Sequence, residues 1–213
     1  MGCPITRGFV LAVGAMCFAL GAGCSSSTQG QKSVEGFEHT KDAVASAQVQ
    51  VQRTISAMTA LRAVPSNMLS EAFGRYKQSV ADLEKEADQA KWRALSMKEN
   101  ADTQIQSWQS EMADIKDPQI KASLEKRREA IRDNYALLKM YADDARKAYE
   151  PFVQGNKQLI KALSIDLSPA AISGLSDSMD RITSEGMQLQ QKLAAMQHAL
   201  DNMSSGVSPI GAP

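Results

Sequence analysis

His39 and His198 are the two histidines of this 213-residue chain, so metal or imidazole chemistry would have to begin with them. A helical bundle that holds two iron or manganese ions takes a Glu-x-x-His pair from each of two helices. Here Glu35 stands four residues before His39, and nothing acidic stands three before His198. The ligand spacing is missing, so no metal is expected and both histidines read as surface residues. The three cysteines all lie within the first 24 residues, which leaves the body of the chain without a thiol nucleophile, a disulfide framework or a cysteine metal site. No strained nucleophile turn, recognisably spaced carboxylate pair or Gly-rich phosphate loop appears. The chain is therefore expected to have no catalytic residues, no cofactor and no enzymatic activity.

Chemistry of another kind is written at the amino terminus. After Arg7 comes an apolar run from Gly8 to Leu20, then Gly21-Ala22-Gly23-Cys24 and Ser25-Ser26-Ser27-Thr28. The run is short for a bilayer span and suits the hydrophobic region of a secretory signal. Small residues before a cysteine resemble the bacterial lipoprotein box, in which the cysteine is acylated and becomes the mature amino terminus. In that pattern a Leu usually stands three places before the cysteine; here Gly21 does, with Leu20 displaced by one. The resemblance implies lipidation at Cys24 with three acyl chains, enough for stable anchoring. Ser25 rather than Asp in the next place implies the outer membrane, facing the periplasm. The alternative is an ordinary leader cut near Gly21 or Gly23, which would leave Cys24 as a free thiol.

These readings divide the chain into a signal peptide over 1–23, a lipidated cysteine and flexible tether over 24–33, a helical bundle over 34–203 and a Gly/Pro/Ser tail over 204–213. Lys plus Arg and Asp plus Glu stand at 24 each. Removing Arg7 with the leader leaves one net negative charge, and no nucleic-acid partner is expected. Aromatics make up only 5%, which suits helices packed through small and flexible side chains.

The bundle is organised around the stretch from Leu69 to Ile115. Phe73, Val80, Ala87, Ala94, Ala101, Trp108 and Ile115 form one heptad row, and Leu69, Tyr76, Leu83, Ala90 and Met97 form the other. A first helix carries Phe37, Val44, Val51 and Met58 and ends at Val64-Pro65. Ser66 or Asn67 is expected to cap the long second helix. Asp117 should cap the third, with Pro118 in its first turn. That helix carries Leu124, Ile131, Leu138, Ala145, Phe152 and Leu159, and Pro151 should kink it. Ser168 and Pro169 should start a fourth helix carrying Ile172, Leu175, Met179, Ile182, Leu189, Leu193, Met196, Leu200 and Met203.

Short connections make successive helices antiparallel. Counting out from each turn sets Met58 near Phe73, Val51 near Val80, Phe152 near Val80, Ile172 near Ile160 and Met196 near Ala136. The fold class is thus all-α, an elongated antiparallel bundle of four helices with a long coiled-coil hairpin. The first and fourth helices flank the end of the hairpin opposite its turn. Ala87, Ala90 and Ala94 are expected where the helices approach most closely. The first helix is expected to run out near Ala94 and the fourth near Gln104 and Glu129, leaving the hairpin beyond that level as a two-helix tip.

With the helices placed, Gly36-Phe37 with Lys41-Asp42, the run from Leu124 through Tyr135, Leu138 and Ala145 to Pro151, and Leu163 followed by Ala171-Ile172 and Leu175 carry a resemblance. The chain resembles a family of uncharacterised bacterial lipoproteins catalogued as a domain of unknown function. That resemblance implies a helical lipoprotein and no activity. Trp108, Met112, Ile115 and Ile120 at the tip either pack on one another or form a contact surface for an envelope partner, for the membrane or for self-association. The basic run Lys126-Arg127-Arg128 with Arg132 interleaves with Glu125, Glu129 and Asp133 and reads as a paired, solvated helix face. The expected function is that of a lipid-anchored envelope structural or interaction module. The alternative is a periplasmic helical carrier whose Met- and Ala-rich core holds a small apolar or lipid ligand.

Overall fold

The computed structural model describes residues 25–207, and side-chain surroundings over 38–203 except at 104. Cys24, the leader and the last residues of the tail lie outside the described residues. Helix α1 spans Ser25–Ala63, α2 Leu69–Ala113, α3 Pro118–Ile165, α4 Pro169–Gly174 and α5 Ser176–Val207. No strand occurs among the described residues, and the fold is all-α, as the heptad rows require. At about 1.5 Å per residue, α2 and α3 are each close to 70 Å long.

The helices form an antiparallel ring in which α1 lies between α2 and α5, and α3 packs closely on α5 and more openly on α2. Side-chain bonds mark the register. Gln50 and Thr54 of α1 meet Ser79 of α2, bracketing the expected Val51–Val80 level. Tyr76 of α2 meets Asn156 of α3, in register with the expected Phe152–Val80 level. Along α1 and α5, Arg62 pairs with Asp180, Gln52 with Gln190 and Lys41 with Asp201. Residue numbers therefore rise on one helix as they fall on the other without slippage. Lys192 reaches Asp144, about one turn out of the register counted for α3 and the last helix.

That offset has a visible origin. The expected fourth helix is two helices, broken at Leu175, whose amide contacts the carbonyls of Ala171, Ile172 and Ser173. Gly174 stands at the break, where its poor helix propensity makes interruption inexpensive. Ser168 does cap α4 by accepting from the Ala171 amide at 3.2 Å.

Other boundaries also moved. Helical backbone begins at Ser25 and runs through the stretch expected as a tether, and α5 continues to Val207 into the expected tail. Neither extension contains a proline, and adding residues to an existing helix avoids the cost of nucleation. The expected cap of α2 by Ser66 or Asn67 is absent. Those residues form a 3-10 turn, in which the Met68 amide bonds the Pro65 carbonyl at 2.9 Å, and Met68 stands at the helix start without a side-chain cap. Helix α3 continues through Pro151, which is exposed.

The core lies where four helices surround it. Tyr76, Phe152, Met58, Leu61, Leu163, Met179, Ile182, Leu189 and Leu200 are buried there. Each such side chain contributes about 1.5–3 kcal/mol through burial. Neighbours crowd Gly155 and Gly186, whereas Ala87, Ala90 and Ala94, expected at close helix approach, are only half-buried. A methyl at Gly186 would stand 2.7 Å from Phe152 and 2.8 Å from Ile55. Glycine is what lets these backbones come so near.

Candidate interaction surface

The hairpin turn is fixed by local chemistry. Asp117 adopts extended backbone and its carboxylate accepts from the amides of Gln119 and Ile120 at 2.8 and 3.2 Å. Pro118 fills the first helical position, where its missing N–H costs nothing. The turn separates the expected tip residues. Met112 is buried at 4% exposure, Trp108 and Ile115 are half-buried, and Ile120 stands outside at 53%. Leu124 is half-buried on the same helix as Ile120. Three of the four expected contact residues are thus at least partly covered, and one presents an open apolar surface.

Next to Ile120 the basic run departs from its expected pairing. Lys121, Lys126 and Arg127 are exposed, Arg128 is half-buried, and none of their side chains has an ion pair or hydrogen bond among the described residues. Arg132 alone of the run reaches a carboxylate, Asp133 at 4.0 Å. Pairs at helical spacing contribute only about 0.2–0.5 kcal/mol, too little to hold long side chains against their rotational freedom. From residue 118 to residue 133 the run carries five cations against three carboxylates, one of which, Asp133, pairs with Arg132. The start of α3 thus has a modest excess of cations, while Glu111, Asp114 and Asp117 balance it across the turn.

A second exposed feature lies farther up α2. Trp92 is 75% exposed and Leu95, one turn on, is 50% exposed. Sequence reasoning assigned neither a role. The signal was the heptad phase, since rows passing through Ala90, Ala94 and Met97 put position 92 on the opposite side of the helix. An open groove beside Trp92 is lined by Lys85, Asp88, Gln89 and Arg93. Arg93 is not idle; it donates to the carbonyl of His39 at 3.2 Å and holds α1 against α2.

Inside the bundle the polar groups are few and largely satisfied. Gln50 donates to the Ser79 carbonyl at 2.8 Å, while Thr54 donates to the Gln50 carbonyl at 2.9 Å and shares a 3.0 Å bond with the Ser79 hydroxyl. Tyr76 donates to Asn156 Oδ1 at 2.7 Å, and Asn156 donates to the Phe152 carbonyl at 2.7 Å. Burial pushes the Tyr76 phenol well above its ordinary range. Glu185 turns Oε1 to Arg181, while Oε2 is buried beside Gly155 without a hydrogen-bond partner. The hydroxyls and amides in these positions pin α1 to α2 and α2 to α3. His39 and His198 are both exposed. Among the described residues, no group of three His, Cys, Asp or Glu could hold a metal ion. No described helix is long and apolar enough to cross a membrane.

A family model described as a protein of unknown function, DUF2959, matches residues 29–208, and the chain belongs to that family. No curated protein and no solved structure matches it.

Proposed function

We propose that this protein is a lipid-anchored structural or interaction module of the bacterial envelope, held on the periplasmic face of the outer membrane through Cys24 and without catalytic activity. The observation that carries the reading is the sequence Leu20-Gly21-Ala22-Gly23-Cys24 after an apolar run of signal length. A rod of long helices with an exposed, charged tip provides reach and contact surface. It provides no assembled reaction site among its described residues.

The carrier alternative receives less support. The described grooves open to solvent, one beside Trp92 and one among Leu61, Arg62, Pro65, Pro169 and Ser176. The apolar interior is occupied by Phe152, Met58 and Leu189 themselves. Replacing Cys24 by Ser tests the anchor. The expected outcome is an unprocessed precursor in cell fractions; a normally sized, membrane-bound protein from that variant would refute it.

A further inference from the structure

The tip of the hairpin and the start of α1 lie at one end of the molecule. Arg93 bonded to the His39 carbonyl fixes the level of α1 on α2. From His39 back to Ser25 the helix continues for about fourteen residues, roughly 21 Å, toward the turn. Continued at that register, Ser25 comes level with Trp108, roughly 13 Å short of Asp117. A lipid on the preceding residue would therefore meet the bilayer beside the tip rather than at the end of a long tether. The hydrocarbon core is about 30 Å thick within a total of roughly 40–45 Å, so each headgroup layer is only about 5–8 Å deep. The turn must then enter the headgroups, or the rod must tilt until the flank of the tip rests on them.

The chemistry at that flank fits such a surface. Ile120 is exposed, and Trp108 on α2 is half-buried. Lys121, Lys126 and Arg127 stand in solvent without carboxylate partners. Long cationic side chains can lay their stems on acyl chains and their heads among phosphates, and an indole favours the boundary between the two. Acidic groups are present too. Glu111, Asp114 and Asp117 lie on the α2 side and at the turn, while Glu125, Glu129 and Asp133 share α3 with the cations. Only the start of α3 carries an excess of cations, spread around the helix, so the attraction belongs to that end of the hairpin rather than to α2.

We infer that the tip, through Ile120, Lys121, Lys126 and Arg127, seats on anionic phospholipid headgroups of the membrane that anchors the protein. This rests on the lipid-anchor reading, and the occupant is the bilayer rather than a protein. Trp92 and Trp108 provide an internal ruler, since sixteen residues of helix separate them by roughly 24 Å.

The test uses the full-length acylated protein in vesicles of phosphatidylglycerol with phosphatidylethanolamine, or of phosphatidylcholine alone. Trp92→Phe leaves Trp108 as the reporter, and Trp108→Phe leaves Trp92. In the anionic vesicles, acrylamide quenching of Trp108 should fall about twofold with a blue shift, while Trp92 stays accessible. The triple variant Lys121→Glu, Lys126→Glu, Arg127→Glu should lose that shielding while keeping its helical circular dichroism. Equal accessibility of Trp108 in both vesicle types, or equal shielding of both tryptophans, overturns the inference. So does shielding that appears only when envelope proteins are added, since the occupant is then a protein. Mass spectrometry of the amino-terminal peptide separates the two readings. Acylated Cys24 with an unshielded Trp108 removes the seating alone, whereas unmodified Cys24 removes the anchor on which it rests.

Discussion

The two ends of the hairpin carry the same heptad pattern and bury it very differently. Around Tyr76, Leu83, Phe152 and Leu189, four helices close over the seam and the large side chains are hidden. Near the turn the seam has fewer walls; Met112 is covered, but Trp108 and Ile115 are half-exposed and Ile120 faces out. A periodic apolar row thus says that a partner is required, while the number of partners decides what the row is worth. The four-helix end should hold the global stability, and the tip should open locally at much lower cost.

The sharpest way to break this comparison is to place a charge in each region. Leu83→Asp or Leu189→Asp buries an unpaired carboxylate and should cost about 3–5 kcal/mol of unfolding free energy. Ile115→Asp, at the half-exposed seam, should cost under about 1 kcal/mol. Denaturant titration followed by circular dichroism measures all three, and equal losses would show that the two ends form one equally packed core.

Glycine substitutions sharpen the same contrast more gently. Gly186→Ala drives a methyl into Phe152 and Ile55, so a loss of about 1–3 kcal/mol from overpacking is expected. Gly74 has no neighbour within 4 Å of an added methyl. Gly74→Ala should therefore stabilise by about 0.5–1 kcal/mol through reduced chain freedom. Melting temperatures that move in the same direction would refute the placement of α5 against α1.

The smallest effect is in alkaline titration. Burial, aided by nearby Asp102, pushes Tyr135 up to about 12. Burial, aided by Glu84 and Asp88, does the same for Tyr149. Burial alone sends Tyr76 higher still. Because the folded values exceed the unfolded value near 10, their stabilising contribution is complete below about pH 10 and is lost as pH rises through the folded values. Ultraviolet titration should find these phenols ionising late, with Tyr76 last and accompanied by unfolding; ordinary titration of all three in the folded protein would contradict their burial.

Much of the architecture was legible because heptad spacing and turn residues are local signals. Asp117 with Pro118 and Ser168 with Pro169 both start helices as their side chains dictate. The α1–α2 and α2–α3 registers followed from counting outward from short turns. The break at Leu175 escaped notice because apolar phase continues on either side of Gly174, and phase does not report a missing turn. Asn156 was also recoverable. It lies seven residues from both Tyr149 and Leu163 in a heptad row, a place where a polar side chain needs a partner, and Tyr76 provides it. The carboxylates interleaved with Lys126-Arg127-Arg128 misled in the other direction, since spacing permits ion pairs without forming them. Trp92 was readable only as the outside of a helix, and outward placement alone names no ligand.

The contact between α1 and α5 has a consequence for the life of the newly made chain. Ile55 completes its packing beside Gly186, and Arg62 waits for Asp180, so the first helix closes against the last. A chain delivered from its amino terminus carries α1 with one apolar flank unpartnered until nearly all of it has emerged. Its helices and hairpin can form early, but ring closure must wait for a contact far away in sequence. During that interval the chain exposes a surface on which aggregation begins and folding helpers act.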